Sequence, residues 1–179
     1  RQCVTMDVKA PGNLIYIVGM TADEMGGSHW SLVRNLEGGA VPRCDPQRAK
    51  RIFEAVHTAI RSGFVRACHD LSEGGLAVAA AEMAFAGCWG VELDLTRLPC
   101  DPASLPAIVR LFSESNTRFL CEVDPQHRSA FEALFTNLPL AEIGKVTECD
   151  RLMIRFAGRT LIDLPISRLK EAWLAPLAW

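Results

Sequence analysis

The sequence has no CxxC pair, no excess of charge of either sign and no apolar run approaching the roughly 20 residues that span a bilayer. Its 179 residues set 19 Lys and Arg against 21 Asp and Glu, a net charge of −2. That balance proposes neither a nucleic-acid surface nor an electrostatic membrane anchor. The seven cysteines (Cys3, Cys44, Cys68, Cys88, Cys100, Cys121 and Cys149) are scattered and odd in number. Such usage fits reduced thiols in a cytoplasmic protein and argues against a zinc site or a disulfide framework. The opening RQCVTMDVKAPG lacks the organisation of a signal peptide, so secretion is not expected. No internal repeat, low-complexity tract or Pro/Gly linker divides the chain. What remains, with 49% apolar and 22% charged residues, is the composition of a globular chain able to bury a core.

Periodicity then orders the elements. Val4 to Lys9 alternates weakly and reads as an edge strand, and the apolar run Asn13 to Met20 is the clearest buried strand. Residues 31 to 44 read as a loop. Asp45-Pro46 gives an N-cap followed by proline at the first helical position, and Ile52, Phe53, Val56 and Ile60 continue the helix up to Gly63. A strand from Phe64 to Cys68 precedes an alanine-rich helix from Gly75 to Ala86, apolar on most sides and so buried on more than one face. Trp89 to Leu95 alternates as a strand, Ser104 to Phe112 reads as a helix, and Phe119 to Val123 as a strand. Asp124-Pro125 opens another helix, Ala141 to Val146 is a strand, Ala157-Gly158 turns a hairpin, and Ser167 caps a last helix in which Leu169 and Trp173 stand four apart. Alternating strands and helices predict an α/β fold with α+β character: a single compact domain over 1–179 with one mixed sheet covered by helices.

The chain is organised around Ala67 to Gly87, ACHDLSEGGLAVAAAEMAFAG, where a strand delivers His69 and Asp70 into a glycine-bearing turn. Ser72 suits a helix N-cap, and Gly74 and Gly75 allow close approach of a ligand or of another backbone. An anion at that helix start would be repelled by Asp70 unless Mg²⁺ lay between them, so the local chemistry points to metal-bridged phosphate with Asp70 as a metal ligand. The same residues also serve a purely architectural turn, with Ser72 a cap and the glycines easing helix–sheet packing. Gly26, Gly27 and Ser28 could offer amides and a hydroxyl to an oxyanion, or form a plain connection. The polar run Ser113 to Arg118, which includes Glu114, Ser115 and Asn116, is either a second site segment or a turn.

Four stretches then carry a resemblance. CHDLSEGGLAVAAAEMAFAG, NLIYIVGMTADEMGGSHW, LFSESNTRF and LIDLPISRLKEAWLAPLAW together cover the chain almost end to end. They resemble the carboxyl-terminal domains of the aminoimidazole ribonucleotide synthetase superfamily, most closely those of the phosphoribosylformylglycinamidine synthase family. The HDxSxGG element alone is shared with thiamine-phosphate kinases, selenophosphate synthetases and a hydrogenase-maturation protein, which leaves those members as alternatives.

The resemblance implies an ATP-dependent ligase of purine biosynthesis that converts formylglycinamide ribonucleotide to its amidine through an iminophosphate, using ammonia from glutamine. It also implies ATP and Mg²⁺ as cofactors and amino-terminal ATP-binding domains in the same, longer chain. A separate glutaminase and a small accessory subunit are the implied partners, since ESNTR and the PLAW tail are similar to the second such domain of the family's short form. By match of motif, Asp70 takes the metal-binding position. Gly26, Gly27, Ser28, Ser72, Gly74 and Gly75 take the phosphate side, and Glu114, Ser115 and Asn116 the ribonucleotide side, with Asn116 in place of the more usual glutamine. No catalytic residue is expected here, because the ATP-binding domain and a catalytic histidine pair are lacking. A different class of protein, a non-catalytic docking domain whose exposed apolar surface meets partners, satisfies the same composition. The two readings part over one geometrical point: ligand binding requires Asp70 and Glu114 to converge, which in turn requires the strand after Glu114 to run antiparallel to the strand before Asp70.

Overall fold

The computed structural model describes residues 3–177. In chain order it contains β1 (Leu14–Val18), β2 (Thr21–Ala22), α1 (His29–Arg34), α2 (Pro46–Arg61), β3 (Val65–Asp70), α3 (Gly75–Gly87), β4 (Gly90–Asp94), β5 (Cys100–Asp101), α4 (Ala107–Phe112), β6 (Phe119–Val123), α5 (Arg128–Leu134), β7 (Leu140–Thr147), β8 (Arg151–Phe156), β9 (Arg159–Pro165) and α6 (Ile166–Leu174). Seven strands form one sheet in the order β3-β6-β1-β7-β4-β8-β9, and β2 pairs with β5 in a small parallel ribbon. Within the large sheet β4 and β8 run parallel and the other neighbours antiparallel, so the sheet is mixed.

The alternation of β1 explains the layers. Ile15 and Ile17 point to one face and share a core cluster with α3 residues such as Leu76 and Ala80, a cluster that extends to Ile166 of α6. Tyr16 and Val18 point to the other, where Ile52 and Val56 of α2 and Phe131 of α5 cover them. Each fully buried side chain of this size contributes about 1.5–3 kcal/mol. The small residues of α3 let it lie close to the sheet while α4 and α6 pack along its flanks, which accounts for an apolar surface all round. Gly144 is required by the sheet itself, since a Cβ there would stand 1.9 Å from the carbonyl oxygen of Glu92 on β4.

Several boundaries differ from the sequence pattern, each for a local reason. Val4 to Lys9 is not a strand: the amides of Lys9 and Ala10 donate to the buried Glu122 carboxylate, and that of Val8 to the carbonyl of Met83 in α3. A single bond from the Cys68 amide of β3 to the Thr5 carbonyl, at 3.2 Å, is its only backbone link to the sheet among the described residues, too little to make a ladder. The region read as a loop from residue 31 begins with α1, six residues long and too short to show a period, capped by the Ser28 side chain on the Ser31 amide at 3.2 Å. Pro106 delays α4 to Ala107, because the residue before a proline is held extended. Phe53, counted with the buried stripe of α2, is half exposed, whereas Ile52 and Val56 are buried. The last helix starts one residue before Ser167, with Pro165 at its cap. Trp173 packs against Phe85 in a tilted pair with ring centroids 5.8 Å apart and fixes α6 on α3. Arg1, Gln2, Ala178 and Trp179, and with them the end of the PLAW tail, lie outside the described residues.

Candidate functional site

Three connections meet at one end of the sheet: the stretch between β2 and α1, the turn between β3 and α3, and the polar run between α4 and β6. β3 and β6 are antiparallel neighbours with Asp70 opposite Phe119, so the end of one strand lies beside the start of the other. This is the relation that convergence requires. Glu114 Oε1 accepts the amide of Gly74 at 2.8 Å and the amide of His29 at 2.8 Å, joining all three connections through one carboxylate. The His29 Nδ1 atom stands 3.5 Å from the same oxygen. A carboxylate at the start of α3 meets free backbone donors and the positive end of the helix dipole, where it is stabilising.

Beneath Glu114 the run is tied to β2. The Ser115 hydroxyl accepts the Ala22 amide at 3.0 Å, and the Ser113 hydroxyl donates to the Ala22 carbonyl at 2.8 Å. Arg118 is buried, and its guanidinium donates to the Ser115 carbonyl at 2.9 Å, to Thr21 Oγ1 at 3.0 Å and to the Ser113 carbonyl. Burial lowers its pKa to about 10, with the charges of Glu24 and Glu114 opposing the shift, so it stays cationic at neutral pH. All three acceptors are neutral, which leaves a positive charge under the site without a hydrogen-bonded carboxylate.

Above this frame lies an open cavity of about 890 Å³, walled by Asp70, Ser72, Glu73, Glu114, Asn116 and Thr117 on the polar side and by Phe53, Ile60 and Phe119 on the apolar side. Both carboxylates named by the sequence therefore border the same space. Asp70 is the more available, with 62% of its side chain exposed. Its Oδ2 accepts the Ser72 hydroxyl at 3.0 Å, and His69 Nδ1 lies 3.3 Å from Oδ1. Partial burial raises the Asp70 pKa, but the bonds from Ser72, its own backbone and His69 outweigh that, so the net shift is downward and the group is an anion at neutral pH.

The remaining candidates divide by what their polar groups touch. Ser72 is not the cap of α3: that position is Gly74 in a left-handed conformation at φ 77°, and the Ser72 hydroxyl turns to Asp70 instead. The Gly75 amide bonds the Ser72 carbonyl at 3.1 Å, and a Cβ on Gly75 would lie 2.4 Å from the Ser113 carbonyl oxygen. The Gly26 amide bonds the Ala40 carbonyl at 2.8 Å, Ser28 is buried as the α1 cap, and Gly27 is exposed at φ 72°. Gly26, Ser28, Gly74, Gly75, Glu114 and Ser115 thus hold the frame together, while Asp70, Ser72, Asn116 and Gly27 face outward. Two participants were not picked out by pattern. The Glu82 carboxylate is hydrogen-bonded to His69 Nε2 at 2.8 Å, and its signal was a lone charge in an otherwise apolar helix. Arg118 was the basic residue that closes the polar run just before a buried strand.

Among the described residues no group of three or more His, Cys, Asp or Glu side chains is arranged to hold a metal ion. Magnesium commonly takes one or two protein carboxylates and fills its octahedron with phosphate oxygens and water. Asp70, exposed and anionic, fits one such position.

Fold and site define a recognisable class: residues 10–156 match the model of the AIR synthase related protein, C-terminal domain, and the chain belongs to that family. Its relatives narrow the class. The chain is 37% identical over 169 residues to phosphoribosylformylglycinamidine synthase subunit PurL of Thermococcus sibiricus, covering 94% of this chain and 23% of that protein. It is 35% identical to the same subunit of Caldanaerobacter subterraneus, covering 98% of this chain and again 23% of the relative. Among solved structures, T. maritima PurL complexed with FGAR superposes with a TM-score of 0.83 at 22% identity, over 94% of this chain and 29% of that one. Hydrogenase maturation protein HypE shares the fold more loosely, with a TM-score of 0.62 at 18% identity over 90% of this chain and 56% of that one. The chain thus spans about a quarter of the length of the curated relatives it matches.

Proposed function

We propose that the chain is the carboxyl-terminal domain of a phosphoribosylformylglycinamidine synthase, the ATP- and glutamine-dependent ligase that makes the amidine in purine biosynthesis. In this reading the domain binds nucleotide or phosphate and packs against amino-terminal ATP-binding domains of the same longer chain, in the cytoplasm, with a separate glutaminase and a small accessory subunit as partners. The observation that carries it is the double acceptance by Glu114, which draws the three family-like segments around one cavity bordered by Asp70. Solved relatives described as complexed with ATP and with FGAR, and one described as PurLQS, support ligand and partner classes of this kind. Asp70 would hold Mg²⁺, which would screen the phosphates from the carboxylates around them, while Ser72 and Asn116 face the ligand. Glu114 borders the cavity, Gly26, Ser28, Gly74, Gly75 and Ser115 hold the phosphate-side and ribonucleotide-side loops in place behind it, and Gly27 stays exposed on its loop. The test is calorimetric titration of the full-length protein with ATP in the presence and absence of magnesium. Asp70→Asn is expected to weaken binding about tenfold or more with magnesium and far less without it. Equal affinity of both proteins under both conditions would remove Asp70 from the site.

A docking role is favoured by a separate observation. Leu32 and Val33 of α1 are 74% and 80% exposed, and Leu36 and Val41 beyond it are exposed as well. An apolar patch of this kind marks a contact surface, and it is compatible with ligand binding at the sheet end.

A further inference from the structure

Two cysteines that the site does not use face each other across β3 and β6, and one of them, Cys68, lines the cavity. Cys68 and Cys121 are direct partners across the antiparallel pair β3–β6, on the same face of the sheet, with sulfur atoms 3.8 Å apart. Directly opposed residues in antiparallel strands have Cα atoms about 4.5 to 5.5 Å apart, inside the range of about 4.4 to 6.8 Å that a disulfide accepts. The two thiols differ in access. Cys68 is partly exposed and lines the cavity, whereas Cys121 is fully buried against the α2 side of the core. We propose that Cys68 and Cys121 are a reversible dithiol–disulfide site, loaded through the cavity by a low-molecular-weight disulfide such as oxidised glutathione.

The exchange balances in two steps. The Cys68 thiolate attacks one sulfur of the small disulfide, whose S–S bond breaks and releases one glutathione thiolate, leaving a mixed disulfide on Cys68. Cys121 then loses its proton to solvent and attacks the Cys68 sulfur, releasing the second glutathione thiolate. Two protein thiols are oxidised and one external disulfide is reduced to two thiols. The Cys68 sulfur beside it and complete burial push the Cys121 thiol well above the ordinary cysteine range, which makes Cys68 the entry point and Cys121 the slower, resolving group.

The position gives the bond a consequence. β3 is an edge strand, paired only with β6 within the large sheet, and two residues after Cys68 it presents Asp70 to the cavity. A cross-strand bond would tether that edge to the sheet and draw the Cys68 sulfur out of the cavity wall, so oxidation couples the redox state to the strand that carries Asp70.

Purified full-length protein, reduced and then treated with oxidised glutathione, is to be digested with trypsin without reductant. The expected product joins the peptide Ala67–Arg97 to Phe119–Arg128, vanishes on addition of dithiothreitol, and is absent from both Cys68→Ser and Cys121→Ser. Cys88→Ser, which removes the other cysteine of the first peptide, should retain it. Amide exchange in β3 is expected to slow about tenfold or more on oxidation. A glutathione adduct that stays on Cys68, a link from Cys68 to Cys3, or unchanged exchange in β3 would each overturn the proposal, and none of these results depends on ligand binding at Asp70.

Discussion

At the scale of single residues, the chain places its unusual groups where a partner defines their state. Glu114 satisfies two backbone donors with one oxygen, so Glu114→Ala strips the partly buried Gly74 amide of its partner, at a cost of about 1–3 kcal/mol, and returns the exposed His29 amide to water. Thermal unfolding should show a drop of several degrees, and Glu114→Gln, which keeps a carbonyl acceptor, a smaller one. An equal loss in both variants would mean that the charge matters and the acceptor does not. Tyr16 is the chain's single tyrosine, and its phenol donates to Glu132 Oε1 at 2.6 Å. Burial first, and then the hydrogen bond to Glu132, push its pKa up to about 12. The folded state therefore holds this proton more tightly than the unfolded chain, where the value is about 10. Its contribution to stability is complete below pH 10 and is lost as pH rises through about 12. Alkaline titration of the phenolate absorbance reads this one group, and Tyr16→Phe should flatten the stability profile in that window. A midpoint near 10 would refute the burial argument.

Elements carry the next level of argument. The turn between β3 and α3 works only because Gly74 and Gly75 take left-handed backbone conformations and Gly75 approaches the Ser113 carbonyl. Gly75→Ala adds both backbone strain and a contact that must move a neighbouring backbone, whereas Gly27→Ala, at φ 72° with nothing near its Cβ position, adds the strain alone. Chemical denaturation should rank Gly75→Ala as the more destabilising, by about 1–3 kcal/mol over Gly27→Ala. Equal losses would show that the close approach to Ser113 relaxes at little cost. The same closeness explains why α3 had to be rich in alanine: a bulkier helix would not reach the sheet while α4 and α6 flank it.

For the whole molecule, the sheet end and the α1 patch point away from self-sufficiency. Phosphoryl transfer depends on positioning by several groups around the nucleotide, and the described residues place one exposed carboxylate at the candidate metal position. The 179-residue chain alone is expected to show no ATP hydrolysis and no amidine formation; steady turnover by the purified chain, with contaminating ATPase excluded, would overturn this. With Leu32 and Val33 open to solvent, it is also expected to associate with copies of itself as concentration rises in sedimentation. Replacing both by Glu should keep it monomeric. Persistence of the dimer in that variant would place the contact elsewhere.

Much of this was legible in the linear sequence, because period and punctuation are local. The β1 run, the Asp45-Pro46 start of α2, the alternation of β4 and the alanine-rich α3 all declare themselves through side-chain spacing, and of the candidate residues in the motif segments Asp70, Ser72, Glu114 and Asn116 border the cavity, whereas Gly26, Gly27, Ser28, Gly74, Gly75 and Ser115 do not line it. Spacing could not report who takes a hydrogen bond across the chain. Whether Val4 to Lys9 would pair as a strand was decided by Glu122, 113 residues from Lys9, and the fate of Ser72 by the Asp70 carboxylate beside it once the turn had closed. Burial of Arg118 without a carboxylate partner and the facing sulfurs of Cys68 and Cys121 likewise follow from strand order and register. Those are set by how both faces of the sheet are filled, a property that no short window of sequence contains.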